Sequence, residues 1–379
     1  MPGEGFFGVA TEAEFVVVKL KEAKPYLREF FRIPQDANAY QTNDIMFGVK
    51  YVSDKVRELG RPIVICLGLG TSLSSHDGLG PLSLYLSEIG DISGDVVIAA
   101  AGNEGNARRH YFGTVDSAVG YDTVEVDVGE GETGFSMILW GNRPSIYSVD
   151  ILTPSGEYIP RIPPRINENQ DATFIFETTR ISIDYQMIQT AAGDQMILLR
   201  FTNPAPGIWR FRVYDMMKNS AGFHIWLPME HFISPNTFFV RSDPDTTILD
   251  PANAFPLVSV TAYNVEDGSI YINAGRGFSR LNQVEPKIAA PGVNIIAPTL
   301  TQGFAPFTGT GTAAAHTAGI AAMMLEWGVV LGNYLDLDTA GVRNYMISSA
   351  KRDPDLTYPN SQWGYGILDI FNVFNILRS

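Results

Sequence analysis

Thr308-Gly309-Thr310-Gly311-Thr312-Ala313-Ala314-Ala315-His316-Thr317-Ala318-Gly319 decides the fold, and this stretch continues into the apolar segment 320–327. A Gly- and Thr-rich turn followed by small apolar side chains predicts a helix that is packed on all sides. The turn holds one position at the helix N-terminus, where unpaired N–H groups favour a negative charge. An enzyme would place there a nucleophile that generates an oxyanion. The residue at this position is Gly311, which has no side chain.

This stretch resembles the G-T-S-M-A-x-P-H-V-A-G signature of the subtilisin-like serine proteases, with Gly311 at the catalytic serine. Further blocks that resemble the family occur in order at 8–10 with 14–20, at 99–105 and at 289–293. Within the family the chain is most similar to the Csp proteins of clostridial spores, on the runs 61–71, 105–110 and 363–366. In lacking the serine, the chain resembles the CspC-type pseudoprotease branch of this group.

Composition limits the class of protein. A chain of 379 residues suggests two or three domains, and a net charge of -14 argues against a nucleic-acid partner. The single cysteine, Cys66, excludes an internal disulfide, and its apolar surroundings predict a buried, inert thiol. We expect no apolar run to reach the length of a membrane span, and the first residues lack the features of a signal peptide. We therefore expect a soluble protein made in the cytoplasm, and the resemblance implies the bacterial spore as its location.

The first part of the chain predicts an α/β fold. A buried strand is predicted at 13–20 and the beginning of a helix within 22–31, and apolar spacing of three and four predicts an amphipathic helix at 43–59. Continuous apolar runs at 62–67 and 95–101, with a helix at 79–89 between them, predict a parallel sheet covered on both faces. The resemblance implies the subtilisin-like form of this architecture.

The pattern of apolar and turn residues changes after about residue 118. Short β-rich runs separated by turn residues predict an inserted all-β sandwich or jelly roll; they lie at 124–128, 135–140, 145–152, 173–177, 181–185, 196–201, 209–214 and 223–226. The α/β pattern resumes at 257–263 and 289–298, and a last helix is expected near Asp338 and Thr339. The predicted domains are 1–118 and 231–379 for the subtilisin-like core and 119–230 for the insertion.

Two family motifs have no counterpart in this sequence. In the family the triad aspartate and histidine precede the Gly-Val-Ala block, which begins here at Gly8. The chain is therefore expected to lack the first strands of the family domain. The resemblance places the missing strand inside the sheet, between 14–20 and 62–67. We infer an N-terminal partner segment, a truncated sequence or a changed start site.

Two remnants of a protease site are predicted. The resemblance matches Asn103 to the side chain of the oxyanion hole, although a loop asparagine kept for turn geometry is an equally good interpretation. Leu67, Gly68, Leu69 and Gly70 match the strand edge along which family members pair an extended substrate. The glycines of this edge are as readily explained by packing.

Other candidates for catalysis are weak. Thr310 and Thr312 flank Gly311 but project in other directions, and His316 is interpreted as a structural histidine of the central helix. His76 and Asp77 imitate a dyad, yet neighbours on a loop seldom act as base and orienter. No spacing typical of a metal site occurs, and no cofactor is expected.

Three functional hypotheses follow. The resemblance implies a catalytically inactive pseudoprotease that regulates spore germination by binding, sensing or relaying a germinant signal upstream of cortex-hydrolase activation. Its partners would be related Csp proteins, a cortex-hydrolase proform or a small germinant such as a bile salt. The alternative is an active serine endopeptidase that processes such a proform. In the third, the β-rich insertion is the main interaction surface and the remainder is a scaffold.

Overall fold

The computed structural model of the protein describes residues 7–165, 169–187, 193–219, 221–301 and 303–378. These residues form a parallel α/β part and an antiparallel β-sandwich, which interrupts the α/β part in sequence. This is the predicted combination of a parallel sheet and an inserted all-β domain.

A four-stranded parallel sheet forms the centre of the α/β part. Its strands, in spatial order, are β1 Ile63–Leu67, β2 Asp95–Ala100, β14 Val258–Tyr263 and β15 Ile288–Pro291. Every residue of β2 is buried, and its side chains alternate between two apolar clusters. Helices therefore cover both faces of the sheet, which explains why this strand reads as a continuous apolar run.

The helices are α1 Pro25–Phe31, α2 Thr42–Leu59, α3 Pro81–Gly90, α4 Thr310–Leu325, α5 Thr339–Ser349 and α6 Ile370–Leu377. Helices α2 and α3 cover one face of the sheet, whereas α4, α5 and α6 cover the other. The predicted spacing on α2 is confirmed, since Ile45, Val49 and Val56 are buried. The Asp338 side chain caps α5 by accepting a hydrogen bond from the Gly341 N–H.

The central helix α4 contacts all four strands and continues into a π-helical turn, Glu326–Val330. Within the described residues, the stretch Thr310–Val330 is long and apolar enough to cross a bilayer by length and composition alone. The expectation that no apolar run reaches this length is therefore wrong, because the small residues of the helix join the apolar segment that follows. A core helix meets the same criterion, and the strand contacts place α4 in the core.

The sandwich consists of two antiparallel sheets. One contains, in spatial order, β3 His110–Gly113, β12 Phe223–Trp226, β5 Gly134–Gly141, β10 Gln195–Thr202, β9 Arg180–Met187 and β8 Asn169–Thr173. The other contains β13 Phe238–Phe239, β4 Asp122–Val128, β11 Gly207–Asp215, β6 Tyr147–Leu152 and β7 Tyr158–Ile162. Apolar side chains of both sheets share one core, and the chain alternates between the sheets from β3 to β6, as is typical of a jelly roll.

The sandwich also packs against the α/β part. All residues of β5 are buried, because one face meets the second sheet and Ile138 and Trp140 lie in a separate cluster that includes Leu73. Helix α1 touches the same sheet, where the Ser136 hydroxyl donates a 2.9 Å hydrogen bond to the Phe31 carbonyl oxygen. The six-stranded sheet is thus covered on both faces.

Several local predictions differ from the structure. The predicted sandwich bounds, 119–230, leave out β3 and β13, which pair within it. The predicted strand at 173–177 is wrong, because β8 ends at Thr173 and Ile175 and Phe176 are exposed. Short strands at the ends of sheets lack the apolar alternation by which sequence finds strands.

The predicted buried strand at 13–20 is also wrong. None of the residues that the structure describes pairs with this segment, and Phe15 and Val17 are 88% and 84% exposed. Their apolar β-branched composition indicated a strand, but a strand needs a neighbour to pair with. The segment is followed by an isolated bridge between Glu22 and Tyr40, beyond which α2 begins.

A two-stranded hairpin lies just before α4. Its strands are β16 Ile295–Pro298 and β17 Phe304–Phe307, which pair antiparallel. The stretch 289–298, where the α/β pattern was expected to resume, is divided between β15 in the central sheet and β16 in this hairpin.

Cys66 contradicts the prediction of burial, since its side chain is exposed on β1. The apolar neighbours of the thiol nevertheless raise its pKa to about 11. The thiol is therefore accessible to solvent but protonated at neutral pH. Its predicted inertness does not require burial.

Candidate functional site: a cleft at the start of the central helix

Gly311 is the second residue of α4 and lies opposite the end of β1. Gly309, with φ 144°, precedes the helix in a backbone conformation that favours glycine. A Cβ placed on Gly311 would lie 3.8 Å from the Gly68 carbonyl oxygen and 3.9 Å from the Gly68 Cα. These are ordinary contact distances, so the absence of a side chain at Gly311 is not imposed by lack of space.

Asn103 lies beside the same helix end, 208 positions before Gly311 in the sequence. It follows β2 after Gly102, whose φ of 94° turns the chain. The Asn103 Oδ1 accepts hydrogen bonds from the Thr310 N–H at 3.1 Å and from the Thr310 Oγ1 at 3.2 Å. The fold therefore brings the two predicted remnants, Asn103 and Gly311, to one place.

The amide orientation leaves a donor at the cleft. The Asn103 Oδ1 faces Thr310, so the Nδ2 of the same amide lies beside Gly309. A Cβ built on Gly309 would be 3.2 Å from this nitrogen. The Asn103 side chain is exposed, and the N-terminus of α4 adds a positive field. This arrangement suits the recognition of a carbonyl oxygen or another negatively polarised group.

The Thr310 hydroxyl, next to Gly311, is engaged in hydrogen bonds. Thr310 is 1% exposed, and its Oγ1 is held between the Asn103 side chain and the Gly102 N–H, which donates to it at 3.0 Å. Thr310 thus connects the start of α4 to the turn after β2.

The predicted edge of residues Leu67 to Gly70 leaves β1 and passes Gly311. Leu67 is the last residue of β1, Gly68 is exposed, and Leu69 and Gly70 are half-buried. Thr71 then forms a two-way backbone bridge with Asp250, with N···O distances of 2.9 and 3.2 Å. The edge is anchored at both ends and is open beside the cleft.

His76 and Asp77 do not form a dyad. The His76 Nδ1 lies 2.7 Å from the Ile248 carbonyl oxygen and its Nε2 lies 2.9 Å from the Ser72 carbonyl oxygen. Asp77 instead binds Arg280 at 2.9 Å. Both residues are buried beneath the edge, so they support the loop after β1 and do not face the cleft.

A stack of aromatic rings joins this loop to the sandwich, and sequence reasoning missed it. His76 stacks on Trp226 with ring centroids 4.1 Å apart, and His110 lies over the same indole at 4.8 Å. The His110 Nε2 is 2.9 Å from the His224 Nδ1. Burial lowers the pKa of His110 to about 3 and lowers that of His224 well below its usual value.

Arg280 forms a second junction between the two parts. Its guanidinium is fully buried and contacts Asp77 at 2.9 Å and Asp194, in the sandwich, at 2.6 Å. No local signal identifies these residues, because they come from segments that are far apart in the chain.

His316 lies within α4, as predicted, and is half-buried; no described residue forms a hydrogen bond with its Nδ1. Within the described ranges, no group of three or more His, Cys, Asp or Glu residues is placed to hold a metal ion.

A solved structure shares this architecture over almost the whole chain. It is the CspB protease of Clostridium perfringens, which matches with a TM-score of 0.84 and 26% sequence identity, covering 91% of this chain and 72% of that one. The chain has a subtilisin-like fold. The predicted fold class is thereby confirmed, and Asn103 and Gly311 occupy the ends of elements that this fold brings together.

Residues 234–366 of this subtilisin-like chain also match the model of the Subtilase family. This range includes the central strands β14 and β15 and helix α4. The maturation proteases PagA and PatA match with 23% and 24% identity over 35% of this chain, covering 46% and 47% of theirs, but their TM-scores of 0.31 support no conclusion. A search of curated proteins found no significant match.

Proposed function

We propose that this chain is a catalytically inactive, subtilisin-like protein of the Csp type that regulates spore germination by binding. The observation that carries the proposal is Gly311, which puts a hydrogen atom where the fold would place a nucleophile. The likeness of the chain to a CspB protease supports the Csp assignment. The role in germination and the CspC-type assignment rest on the sequence resemblance.

The chemistry of peptide hydrolysis needs a nucleophile, a histidine base with its orienting carboxylate, and donors for the oxyanion. Asn103 and the start of α4 supply the donors. Thr310 is locked by its hydrogen bonds, and the ring nitrogens of His76 and the His110–His224 pair are engaged at the sandwich junction. These four side chains are therefore not available for acyl-enzyme formation, whereas Asn103 and the start of α4 can still bind a ligand.

We propose that the ligand at this cleft is an extended peptide that pairs with Leu67 to Gly70. An exposed strand end offers backbone N–H and C=O groups for addition of a strand, and alternate side chains then provide specificity. A carbonyl oxygen of the peptide would face the Asn103 Nδ2. Related Csp proteins and a cortex-hydrolase proform are the proposed sources of such a peptide, whereas a bile-salt germinant would need a different site.

A second partner surface is the free edge of β1. Among the described parts of the chain, this strand pairs only with β2 and no strand pairs with segment 14–20, in which Phe15 and Val17 expose apolar surface. Arg61, just before β1, contacts Glu14 at 2.7 Å, so the two segments lie near each other. We propose that an N-terminal segment of the same domain, in this chain or another, adds a strand here.

Labelling with a fluorophosphonate tests the inactivity. The expected result is no adduct on the full chain under conditions that label a known serine protease. An adduct, located by mass spectrometry, would overturn the proposal and support the alternative, an active endopeptidase. Binding itself is tested by cross-linking a photoreactive residue at position 69 to candidate partners, with position 210 on the outer side of the sandwich as the control.

A further inference from the structure

The second sheet of the sandwich, which contains β4, β6, β7 and β11, has an outer face that points away from the α/β part. The six-stranded sheet makes the contacts with that part, through Trp140 and Ser136. Strands β4, β6 and β11 turn apolar side chains into the shared core, so every second residue faces outward. The tyrosine face of this sheet consists of Tyr121, Tyr158, Tyr214, Asp150, Arg161 and Arg212.

A single carboxylate organises the tyrosine face. Asp150 is 1% exposed, and its Oδ2 accepts hydrogen bonds from the Tyr214 hydroxyl at 2.7 Å and from the Tyr158 hydroxyl at 3.0 Å. The Arg212 Nη1 lies 3.7 Å from the same oxygen. Burial of a carboxylate is costly unless such partners surround it. Asp150 therefore fixes two rings and a guanidinium at the surface, where side chains otherwise keep their rotamer freedom.

The two tyrosines reach Asp150 from opposite sides. In the register of the sheet, Tyr158 pairs with Leu152 of β6. Tyr214 of β11 pairs with Ser148 of the same strand, and Asp150 lies midway between Ser148 and Leu152. The Tyr158 side chain is also widely exposed. A ligand that contacts both rings has to extend across Asp150, as a chain of ring-shaped units does.

Two arginines lie beside the tyrosine rings. The Arg161 guanidinium is 4.9 Å from the centroid of the Tyr214 ring, and the Arg212 guanidinium is 5.1 Å from that of Tyr121. The Arg161 Nε donates a 2.6 Å hydrogen bond to the Ser148 Oγ. Arg161 is exposed, and this bond uses only one of its N–H groups, so the others are left for a ligand.

The charges on the outer face of this sheet are balanced. Cations and anions are equally represented among its outward side chains, namely Arg161, Arg210, Arg212, Glu125, Asp127 and Asp150. The chain as a whole carries a net charge of -14, so a polyanion would be repelled without a basic face to offset the repulsion.

The same face offers little to an apolar partner. The structure describes every residue of β4, β6, β7 and β11, and none of these strands has an exposed Val, Leu, Ile, Met or Phe side chain. Membranes and the cores of protein interfaces require such apolar surface. The face therefore suits a ligand that is uncharged, polar and able to pack on aromatic rings.

We propose that the tyrosine face binds a neutral polysaccharide chain. A sugar ring presents C–H groups that pack on the negative face of an aromatic ring, and its hydroxyls both donate and accept hydrogen bonds. The tyrosines supply the packing surfaces, and Arg161 and Arg212 supply planar donors beside them. This inference goes beyond the proposed function, because it concerns the sandwich and does not depend on the peptide site. Jelly rolls also occur in lectin domains, but the assignment rests on the side chains.

The test offers neutral hexasaccharides of glucose, mannose, galactose, xylose and N-acetylglucosamine to the full chain, with binding measured by calorimetry. Polygalacturonate and polyglutamate are the acidic comparisons. We expect at least one neutral hexasaccharide to bind more tightly than either polyanion. It should also bind at least about tenfold more tightly than its own monosaccharide, because a chain reaches the rings on both sides of Asp150.

Variants locate the binding on the tyrosine face. Tyr158→Ala and Arg161→Ala should each weaken binding of the hexasaccharide at least about tenfold, since the first removes a packing surface and the second removes charged donors. Tyr158→Phe keeps the ring and should bind more tightly than Tyr158→Ala. Circular dichroism checks the folding of each variant, and the exposed Arg161 provides a test that does not depend on the Tyr158 variants.

Matched controls remove the same side chains from another surface. Tyr51→Ala and Arg57→Ala alter exposed residues of α2, in the α/β part, and should leave the affinity for the hexasaccharide unchanged. A purely structural role of the hydrogen bonds to Asp150 predicts a different result, in which Tyr158→Ala lowers stability and no oligosaccharide binds to any form of the chain.

Four outcomes overturn the proposal. They are the absence of binding by every neutral hexasaccharide, equal affinity of the unchanged chain and the Tyr158→Ala and Arg161→Ala variants, and tighter binding of a polyanion than of any neutral sugar. The fourth is capture of a protein by the unchanged chain but not by the double variant, with no sugar bound, which assigns the face to a protein partner. None of these results bears on the proposed peptide site.

Discussion

Asn103 holds Thr310 by two hydrogen bonds, from the backbone N–H at 3.1 Å and from the Oγ1 at 3.2 Å. One amide oxygen thereby joins the turn after β2 to the first residue of α4. The other half of the amide, Nδ2, remains at the cleft. The same side chain thus has a structural oxygen and a proposed ligand-binding nitrogen, and the two roles are separable by substitution.

Asn103→Asp should keep folding largely intact and abolish peptide binding. The aspartate retains an oxygen for the Thr310 N–H and stands at the positive end of α4, but it replaces the donor with a negative charge. Asn103→Ala should lose both hydrogen bonds and destabilise the fold by about 1–2 kcal/mol. Urea unfolding and peptide binding measure the two effects, and Asn106→Ala, at an exposed neighbour, is the control. Equal peptide binding by the unchanged chain and by the Asn103→Asp variant would contradict the proposed role of Nδ2.

Gly311→Ser should be accepted by the fold without restoring activity. The nearest atoms to the new Cβ are 3.8 Å away or more, and serine has a better helix propensity than glycine by a few tenths of a kcal/mol. We expect the free energy of unfolding to change by less than about 1 kcal/mol. Fluorophosphonate should still not label the variant, because a hydroxyl without a base is a weak nucleophile.

Gly292→Ser is the matched control for this substitution. Its Cβ would lie 2.6 Å from the Ala262 Cβ and 2.9 Å from the Gly309 carbonyl oxygen, so we expect a loss of about 1–3 kcal/mol by overpacking. Labelling of Gly311→Ser would show that a base reaches this position after all.

Arg280→Met should weaken the junction between the sandwich and the α/β part. The substitution removes the cation from two buried carboxylates, Asp77 and Asp194, and uncompensated buried charges typically cost about 3–5 kcal/mol. Chemical denaturation measures the loss. Arg210→Met, which breaks the exposed pair with Glu125, is the control and should cost no more than about 1 kcal/mol. A similar small effect for both variants would contradict the importance of the Arg280 junction.

Because His110 and His224 are buried, we expect the free energy of unfolding to fall in mild acid. Burial holds the pKa of His110 near 3, whereas the unfolded chain takes up a proton near 6.5. The unfolded state therefore binds more protons below pH 6.5, and stability falls as the pH falls, by up to about 1.4 kcal/mol per pH unit for each histidine. Groups that face the pair are His76 and Arg280, which oppose protonation, and the backbone carbonyls of Asp243 and Asp245, which favour it.

Unfolding measured between pH 7 and 5 tests this effect. The double variant His110→Gln with His224→Gln should lose less stability over this range than the unchanged chain, whatever its stability at pH 7. His231→Gln, at an exposed position, is the control for the loss of a histidine side chain. Parallel curves for the double variant and the unchanged chain would contradict the prediction. Asp250, whose burial raises its pKa beside His76, acts in the opposite direction and is common to all variants.

Sequence predicted the α/β part best where the signal is local. The spacing of apolar residues located α2, and the continuous runs located β1 and β2, because burial on one or both sides leaves a periodic mark on neighbouring residues. The prediction of a strand at 13–20 failed because strand formation also depends on a contact that is not local. Its composition suits a strand, but pairing depends on a neighbouring segment, and none of the described residues pairs with it.

The candidate site was predicted as separate residues and was assembled only by the fold. Asn103 and Gly311 were each identified from the residues around them, while their connection through Thr310 is a tertiary contact. The ring stack on Trp226 carried no recognisable motif. Its members come from segments more than a hundred positions apart, so no window of sequence contains the interaction.

By itself the sequence determined that a helix of small residues begins at a glycine turn that contains Gly309 and Gly311, because chain geometry and side-chain size act within one turn of helix. Only the tertiary structure decided that Asp150 holds two tyrosines on the outer face of the sandwich and that three buried histidines join the sandwich to the loop after β1. These features arise from packing and desolvation between distant segments, whose free energies depend on which atoms the completed fold brings into contact.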